Sequence, residues 1–277
     1  MATTKRIFVS DLHMGDERSL YPPDSLHPYG WLGEQRAALF AEFLQTRVLN
    51  DPDATELVIL GDLFDVWVCP ASIDPCHNGP KIEDYFRAIA AAKQNKGILD
   101  KLRTIASASK LTYVNGNHDM QLTEAIAKSI IPNVRYQEQE VYENQAEGIH
   151  AEHAHHYTLC NAKDAYNTTD GASHIVPSGY FISRLAAQYT AETGKDAVPI
   201  LQESMQEILE APEGPITMGC GSLFISVLYR ICQAKWKYLG KTTMDGFDQF
   251  GDDKHPLELS ADQIISLYRK FTSMYFA

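Results

Sequence analysis

Along the first half of the chain, short apolar runs stop abruptly at polar residues. Ile7 to Ser10 leads into Asp11-Leu12-His13, Leu57-Val58-Ile59-Leu60 stops at Gly61-Asp62, and Leu111-Thr112-Tyr113-Val114 stops just before Gly116-Asn117-His118-Asp119. Runs this short, bounded by turn residues, read as buried strands. Between them the apolar spacing is helical. Phe40, Phe43, Leu44 and Val48 share one face of a helix that Asn50-Asp51-Pro52-Asp53 breaks, and Ile82, Phe86 and Ile89 share a face within an Ala-rich helical stretch over 82–106. Residues 15–33, rich in Gly, Pro, Tyr and Asp, read as a loop. A helix over about 122–130 and strands over 134–142 and 148–152 follow, the last ending at His153. Alternating strands and helices predict an α/β fold with the second strand parallel to the first, and a site where the carboxyl ends of the strands meet.

Beyond residue 160 the pattern is helical throughout, over 179–191, 197–210, 218–238 and 261–276. The last opens on a capping box, Ser260 with Gln263. The chain therefore divides into a core, 1–159, and a helix-rich insert or lid, 160–277. The aromatic helix with Leu223, Phe224, Val227, Leu228, Ile231, Trp236 and Tyr238 reads either as core packing or as an apolar lid over a lipid or nucleotide group.

Composition narrows the function classes. With 44% apolar and 22% charged residues the chain has the material for a packed core and too few charges for disorder. The formal net charge of −12 lacks the basic footprint of a nucleic-acid binder, which also counts against a nuclease. Bound cations can still reverse the local sign and admit an anionic substrate. Five cysteines, an odd number without a C-x-x-C pair, read as reduced thiols in a cytosol, and a cytoplasmic location is expected. No apolar stretch reaches the length of a membrane span, although the aromatic content around 218–229 allows peripheral contact with lipid.

Candidate chemistry lies in four clusters: Asp11-Leu12-His13, Gly61-Asp62-Leu63-Phe64-Asp65, Gly116-Asn117-His118-Asp119 and Glu152-His153-Ala154-His155-His156. Each alone is an ordinary turn sequence. Together they recur in order, each directly after a strand-like run, so all four can converge on one sheet edge. Carboxylates suit hard divalent ions, and imidazoles suit Mn, Fe, Zn or Ni. A mixed Asp, His and Asn set points to a transition-metal site. One carboxylate can bridge two such ions, which can activate water and clamp a phosphoryl group.

The ordered series D-x-H, G-D-x-x-D, G-N-H-D and a strand ending in His resembles the calcineurin-like metallophosphoesterases over residues 7 to about 156. The phrase Ile59 to Trp67 is most similar to the branch containing the UDP-2,3-diacylglucosamine hydrolases, and Glu152-His153-Ala154-His155 resembles an E-H-G-H form. The resemblance implies a sandwich-like α/β core with a helical C-terminal portion and two divalent metal ions, Mn first, with Fe, Zn or Ni as alternatives. It implies hydrolysis of a phosphomonoester, phosphodiester or pyrophosphate through metal-bound hydroxide. It further implies that Asp11 and His13 bind the first metal, Asp62 bridges, Asn117 and His153 bind the second, His118 is the acid or substrate-orienting group, and Asp65 holds its imidazole. His155 is a further candidate ligand. The expected partner is a small phosphorylated substrate, nucleotide- or lipid-linked, and not nucleic acid.

The family closes its site with a later G-H-x-H, which this sequence lacks. Downstream of His156 only His174 and His255 remain, neither with a second His two residues away. Three readings follow. The chain is a shortened form without the final family strands, which is the preferred reading; His150, His155 or His156 substitutes; or the fold serves as a degenerate binding module without turnover.

Overall fold

A computed structural model describes residues 5–23, 26–69, 82–157, 161 and 178–196. The chain divides into two compact units. One comprises Met1–Pro22, Gly30–Val66 and Pro80–His155, the other Pro23–Tyr29, Trp67–Gly79 and His156–Ala277. Among the described residues no helix is long and apolar enough to cross a membrane.

The first unit is built on a four-stranded sheet. Strands β1 (Lys5–Val9), β2 (Ala54–Leu60), β3 (Leu111–Val114) and β4 (Arg135–Gln137) lie side by side in that order, all parallel. Parallel pairing requires crossover connections. These are α1 (Glu34–Phe43), then α2 (Ile82–Ala91) and α3 (Lys96–Ser107), then α4 (Glu124–Ile130). α1 runs on into a π-helical turn, Leu44–Leu49, which ends at Asn50. α3 stops in a Schellman motif. Ser109 takes φ 57°, and the amides of Ser109 and Lys110 bond back to the carbonyls of Ala106 and Ile105. α4 is capped by the Thr123 side chain, which accepts from the Ile126 amide.

A second, two-stranded antiparallel sheet, β5 (Val141–Asn144) with β6 (Ile149–Glu152), lies against the parallel one. Val58 and Val114 on the parallel sheet form a buried cluster with Tyr142, joined by Leu60, Ile149 and Ala151. Removing the fully buried Val58 and Val114 side chains from water contributes roughly 1.5–3 kcal/mol each. The same face carries a buried acid. Glu56 is 7% exposed, yet it accepts from Arg6 at 2.6 Å, Thr112 at 2.6 Å, Arg135 at 2.6 Å and Tyr142 at 2.7 Å. Its four donors come from three strands of one sheet and one of the other, so this carboxylate ties the hairpin to the parallel strands. The donors offset the burial penalty and hold Glu56 below the usual range.

Three expectations change. The strand expected over 134–142 is two strands in different sheets. Glu140, with φ 58°, turns the chain between them. The helix expected over 82–106 is broken at Ala92, whose backbone is extended (ψ 133°). Tertiary demand explains the break. The next residues, Gln94 and Asn95, are buried, and their amide groups donate to the carbonyls of Gly15 and Asp16 in the loop after β1. Third, the loop over 15–33 contains a short 3-10 turn, Glu17–Ser19, capped by Asp16.

Of the second unit, one helix is described, α5 (Ser178–Thr193), close to the expected 179–191. Gly194 ends it at φ 69°. Ala187 and Ala191 pack with Tyr29, Leu26 and Val68, and the Ala191 carbonyl accepts from the His27 amide at 2.6 Å. The helices expected over 197–210, 218–238 and 261–276 lie outside the described residues.

Replacing Glu56 by Leu should cost about 2 kcal/mol of unfolding free energy in urea, because four donors lose their acceptor. Retained stability would show that the hairpin is held by apolar contact alone.

Candidate metal centre

Parallel strands end on the same edge, so the polar residues after β1, β2 and β3 must meet there. The loops that carry them continue the sheet pairing past the strands. The Asp11 amide bonds the Gly61 carbonyl at 3.3 Å, His13 bonds Asp62 at 2.8 Å, Met14 bonds Leu63 at 2.8 Å, and Val66 bonds His118 at 3.2 Å. Such close lacing constrains the backbone. Asp11, His13 and Asp62 all take positive φ, 58°, 50° and 56°, a left-handed conformation that non-glycine residues adopt at a cost. Gly61 and Gly116 provide room for the approach. A Cβ on Gly61 would lie 2.5 Å from the Gly116 Cα, and one on Gly116 would fall onto Asp62.

Asp62 is the centre of the constellation. It is 2% exposed. Its Oδ1 accepts from the His118 backbone amide at 2.8 Å. Its Oδ2 lies 3.2 Å from His153 Nε2 and 3.7 Å from His13 Nε2. Two groups of ligand atoms share this carboxylate: His13, Asp62 and His118, and Asp11, Asp62 and His153. Asp11 also stands 3.8 Å from His13 Nε2, and the Asn117 Oδ1 lies 3.2 Å from His153 Nε2.

The other ring nitrogens are held away from the centre. His153 Nδ1 donates to the Leu60 carbonyl at 2.7 Å, so its Nε2 faces Asp62. Asp65 takes one histidine on each oxygen, His118 Nδ1 at 2.9 Å and His13 Nδ1 at 3.0 Å. The two rings meet edge to face with centroids 4.5 Å apart. A buried partner on Nδ1 fixes ring orientation and leaves Nε2 as the donor atom, as metal-binding imidazoles require. Oxygen and imidazole donors converging on a shared carboxylate fit divalent first-row ions.

Charge in the cluster follows from this geometry. Burial opposes a proton on His13, but the hydrogen bond and charge of Asp65, with Asp62 and Asp11, outweigh it and raise the imidazole to about 9. Burial likewise opposes charge on His153, and the contact with Asp62 raises it to about 9. Asp65 is fully buried, yet His118 and His13 hold it well below the carboxylate range. The hydrogen bond from His153, with the charges of His118 and His13, holds Asp62 down against its own burial.

Of the residues singled out in the sequence, Asp11, His13, Asp62, Asp65, Asn117, His118 and His153 come together here. His153 arrives from β6 of the second sheet, not from the edge of the parallel one. His155 stands apart from both groups that share Asp62. It occupies a 3-10 turn, 3% exposed, with its Nε2 3.7 Å from Glu140 Oε2 and its ring 5.7 Å from that of His153. Two contributors are not apparent from the sequence: the Leu60 carbonyl, and Asp119, which is fully buried behind the loops. Burial and the charge of Asp62 push Asp119 up to about 6. An acid following the Asn-His pair was a visible signal, but nothing in its spacing indicates burial.

In the metal-free chain, the stability contributed by charged His13 and His153 is present below their unfolded value near 6.5 and lost as pH rises through about 9. Histidine ring NMR should show both titrating near 9. Asp62→Asn should lower His153 most, because Asp65 still supports His13. Ordinary titration of both rings in the wild type would contradict this electrostatic account.

No protein-family model matches the chain, and no solved structure matches it significantly. Two curated proteins do. A UDP-2,3-diacylglucosamine hydrolase of Shewanella pealeana is 28% identical over 166 residues, covering 58% of this chain and 52% of that protein. One of Shewanella halifaxensis is 29% identical over the same length and shares. The chain thus spans about half the length of the curated relatives it matches. The resemblance of the sequence to the calcineurin-like metallophosphoesterases, nearest the UDP-2,3-diacylglucosamine hydrolases, is borne out by these two relatives.

Proposed function

We propose that the chain is a phosphoric ester hydrolase that uses two divalent ions, Mn first among them, on a phosphomonoester, phosphodiester or pyrophosphate. The observation that carries this reading is the single Asp62 oxygen facing imidazoles on both sides. Asp11, His13 and Asp62 would hold one ion, and Asp62, Asn117 and His153 the other. Such ions supply Lewis acidity, acidifying water and neutralising charge on phosphoryl oxygens.

The remaining chemistry belongs to the side chains. Asp65 accepts the Nδ1 proton of His118 and so presents Nε2 toward the centre. A proton on Nε2 can pass to the leaving oxygen as the ester bond breaks, while the Asp65 carboxylate stabilises the charged ring. Because Asp65 also holds His13, it sets the orientation of an acid and of a ligand together. Asp11, with its side chain 59% exposed, marks the side from which substrate and water reach the cluster.

The relatives are named for a substrate that combines a nucleoside diphosphate with a diacylated sugar. That supports a nucleotide- or lipid-linked phosphorylated substrate for this chain. A single pair of variants separates the roles. His118→Ala should keep two ions per chain by plasma mass spectrometry and lose about 10²- to 10⁴-fold in turnover of a model diester. Asp62→Asn should lose both metal and most turnover while keeping its circular dichroism. Loss of an ion from His118→Ala would make His118 a ligand and leave the acid unassigned. Two ions without turnover of any ester in the wild type would favour a binding module.

A further inference from the structure

Asp119 is 0% exposed and lies one residue beyond the His118 of the centre. Its Oδ2 accepts from the backbone amides of Leu63 at 2.9 Å and Phe64 at 3.3 Å and from the Tyr113 hydroxyl at 2.5 Å. Its Oδ1 accepts from the Gly116 amide at 2.7 Å. Leu63 and Phe64 directly follow Asp62, and Gly116 directly precedes Asn117. One carboxylate therefore grips the loop after β2 with one oxygen and the loop after β3 with the other. Tyr113, itself fully buried on β3 and stacked on Phe64, anchors that carboxylate to the sheet.

We propose that Asp119 is a positioning residue that sets the spacing between the two ligand groups, holding Asn117 against the Asp62 that both groups share. The inference rests on the two-ion reading above. The loops meet where their backbones nearly touch, at Gly61 and Gly116, and no side chain can wedge between them there. Their separation is consequently set by what binds their amides, and Asp119 binds three of these, two on one loop and one on the other. Backbone amides of Leu63, Phe64 and Gly116 would be buried donors without it, each costly to leave unpaired. The role needs two acceptor oxygens, one facing each loop. Asparagine supplies only one. Whichever way its amide turns, an NH₂ group meets backbone donors on one side, and one loop is released.

The test is a calorimetric titration of Mn²⁺ into the metal-free full chain, with thermal unfolding measured in parallel. The wild type and Tyr113→Phe, which keeps both loop contacts, should each bind two ions. Asp119→Asn should bind one ion as before and hold the second about 10- to 100-fold more weakly, the usual range for loss of a supporting hydrogen bond behind a ligand. A lower melting temperature with both affinities intact would make Asp119 merely structural and overturn the proposal. Absence of any Mn²⁺ binding by the wild type would refute the two-ion reading instead. Hydrogen exchange then judges the tie on its own, including when Asp119→Asn does not fold: in the wild type the amides of Leu63, Phe64 and Gly116 should be strongly protected. Exchange at the rate of open loops would overturn the inference.

Discussion

The organisation of the first unit depends on a buried carboxylate, Asp62, kept charged next to two imidazoles at the end of β2. Burying a lone charge is prohibitive, so such a group persists only where fixed partners surround it. The partners here come from the loops after β1 and β3 and from the end of the hairpin. The parallel register of β1, β2 and β3 brings Asp11, Asp62 and Asn117 to one level. The packing of β5 and β6 on Val58 and Val114 brings His153 within reach from the other side. Fold and centre are in this sense one requirement: the sheet gives the charge its neighbours, and the charge needs that sheet geometry.

Two buried acids at opposite ends of β2 are handled differently. Glu56 is surrounded by two guanidiniums and two hydroxyls and serves only to join the sheets. Asp62 is instead flanked by groups that can exchange a proton for a metal. The difference lies in the partners, since arginine does not give up its proton and does not bind cations, whereas imidazole does both. A carboxylate among arginines is structural, and one among histidines is open to chemistry.

Much of this arrangement was legible in the chain. The strands are local apolar runs that stop at polar residues, a signal that requires no knowledge of the rest of the fold. Because parallel strands end on one edge, the residues after Val9, Leu60 and Val114 could be expected to meet. The break at Ala92 could not be read, because an Ala-rich stretch favours helix and the reason for stopping lies far away at Gly15 and Asp16. Nor could the split of 134–142 into two sheets, which depends on one left-handed residue, Glu140. The origin of His153 in the second sheet and the grip of Asp119 on two loops are likewise products of tertiary contact. The place of His155 was likewise not readable from its sequence position two residues after His153: the 3-10 turn at 155–157 sets it beside Glu140.

The left-handed backbone at Asp11, His13 and Asp62 has an evolutionary consequence. Asparagine adopts that conformation about as readily as aspartate does and has nearly the same shape. A single codon change at Asp11 or Asp62 could therefore delete a negative charge while leaving the local chain path acceptable. If the centre holds cations as proposed, descendants of this fold can lose that affinity in one step without first losing their architecture, and the route back is equally short. A lineage built this way would be expected to scatter members with and without these carboxylates among close kin.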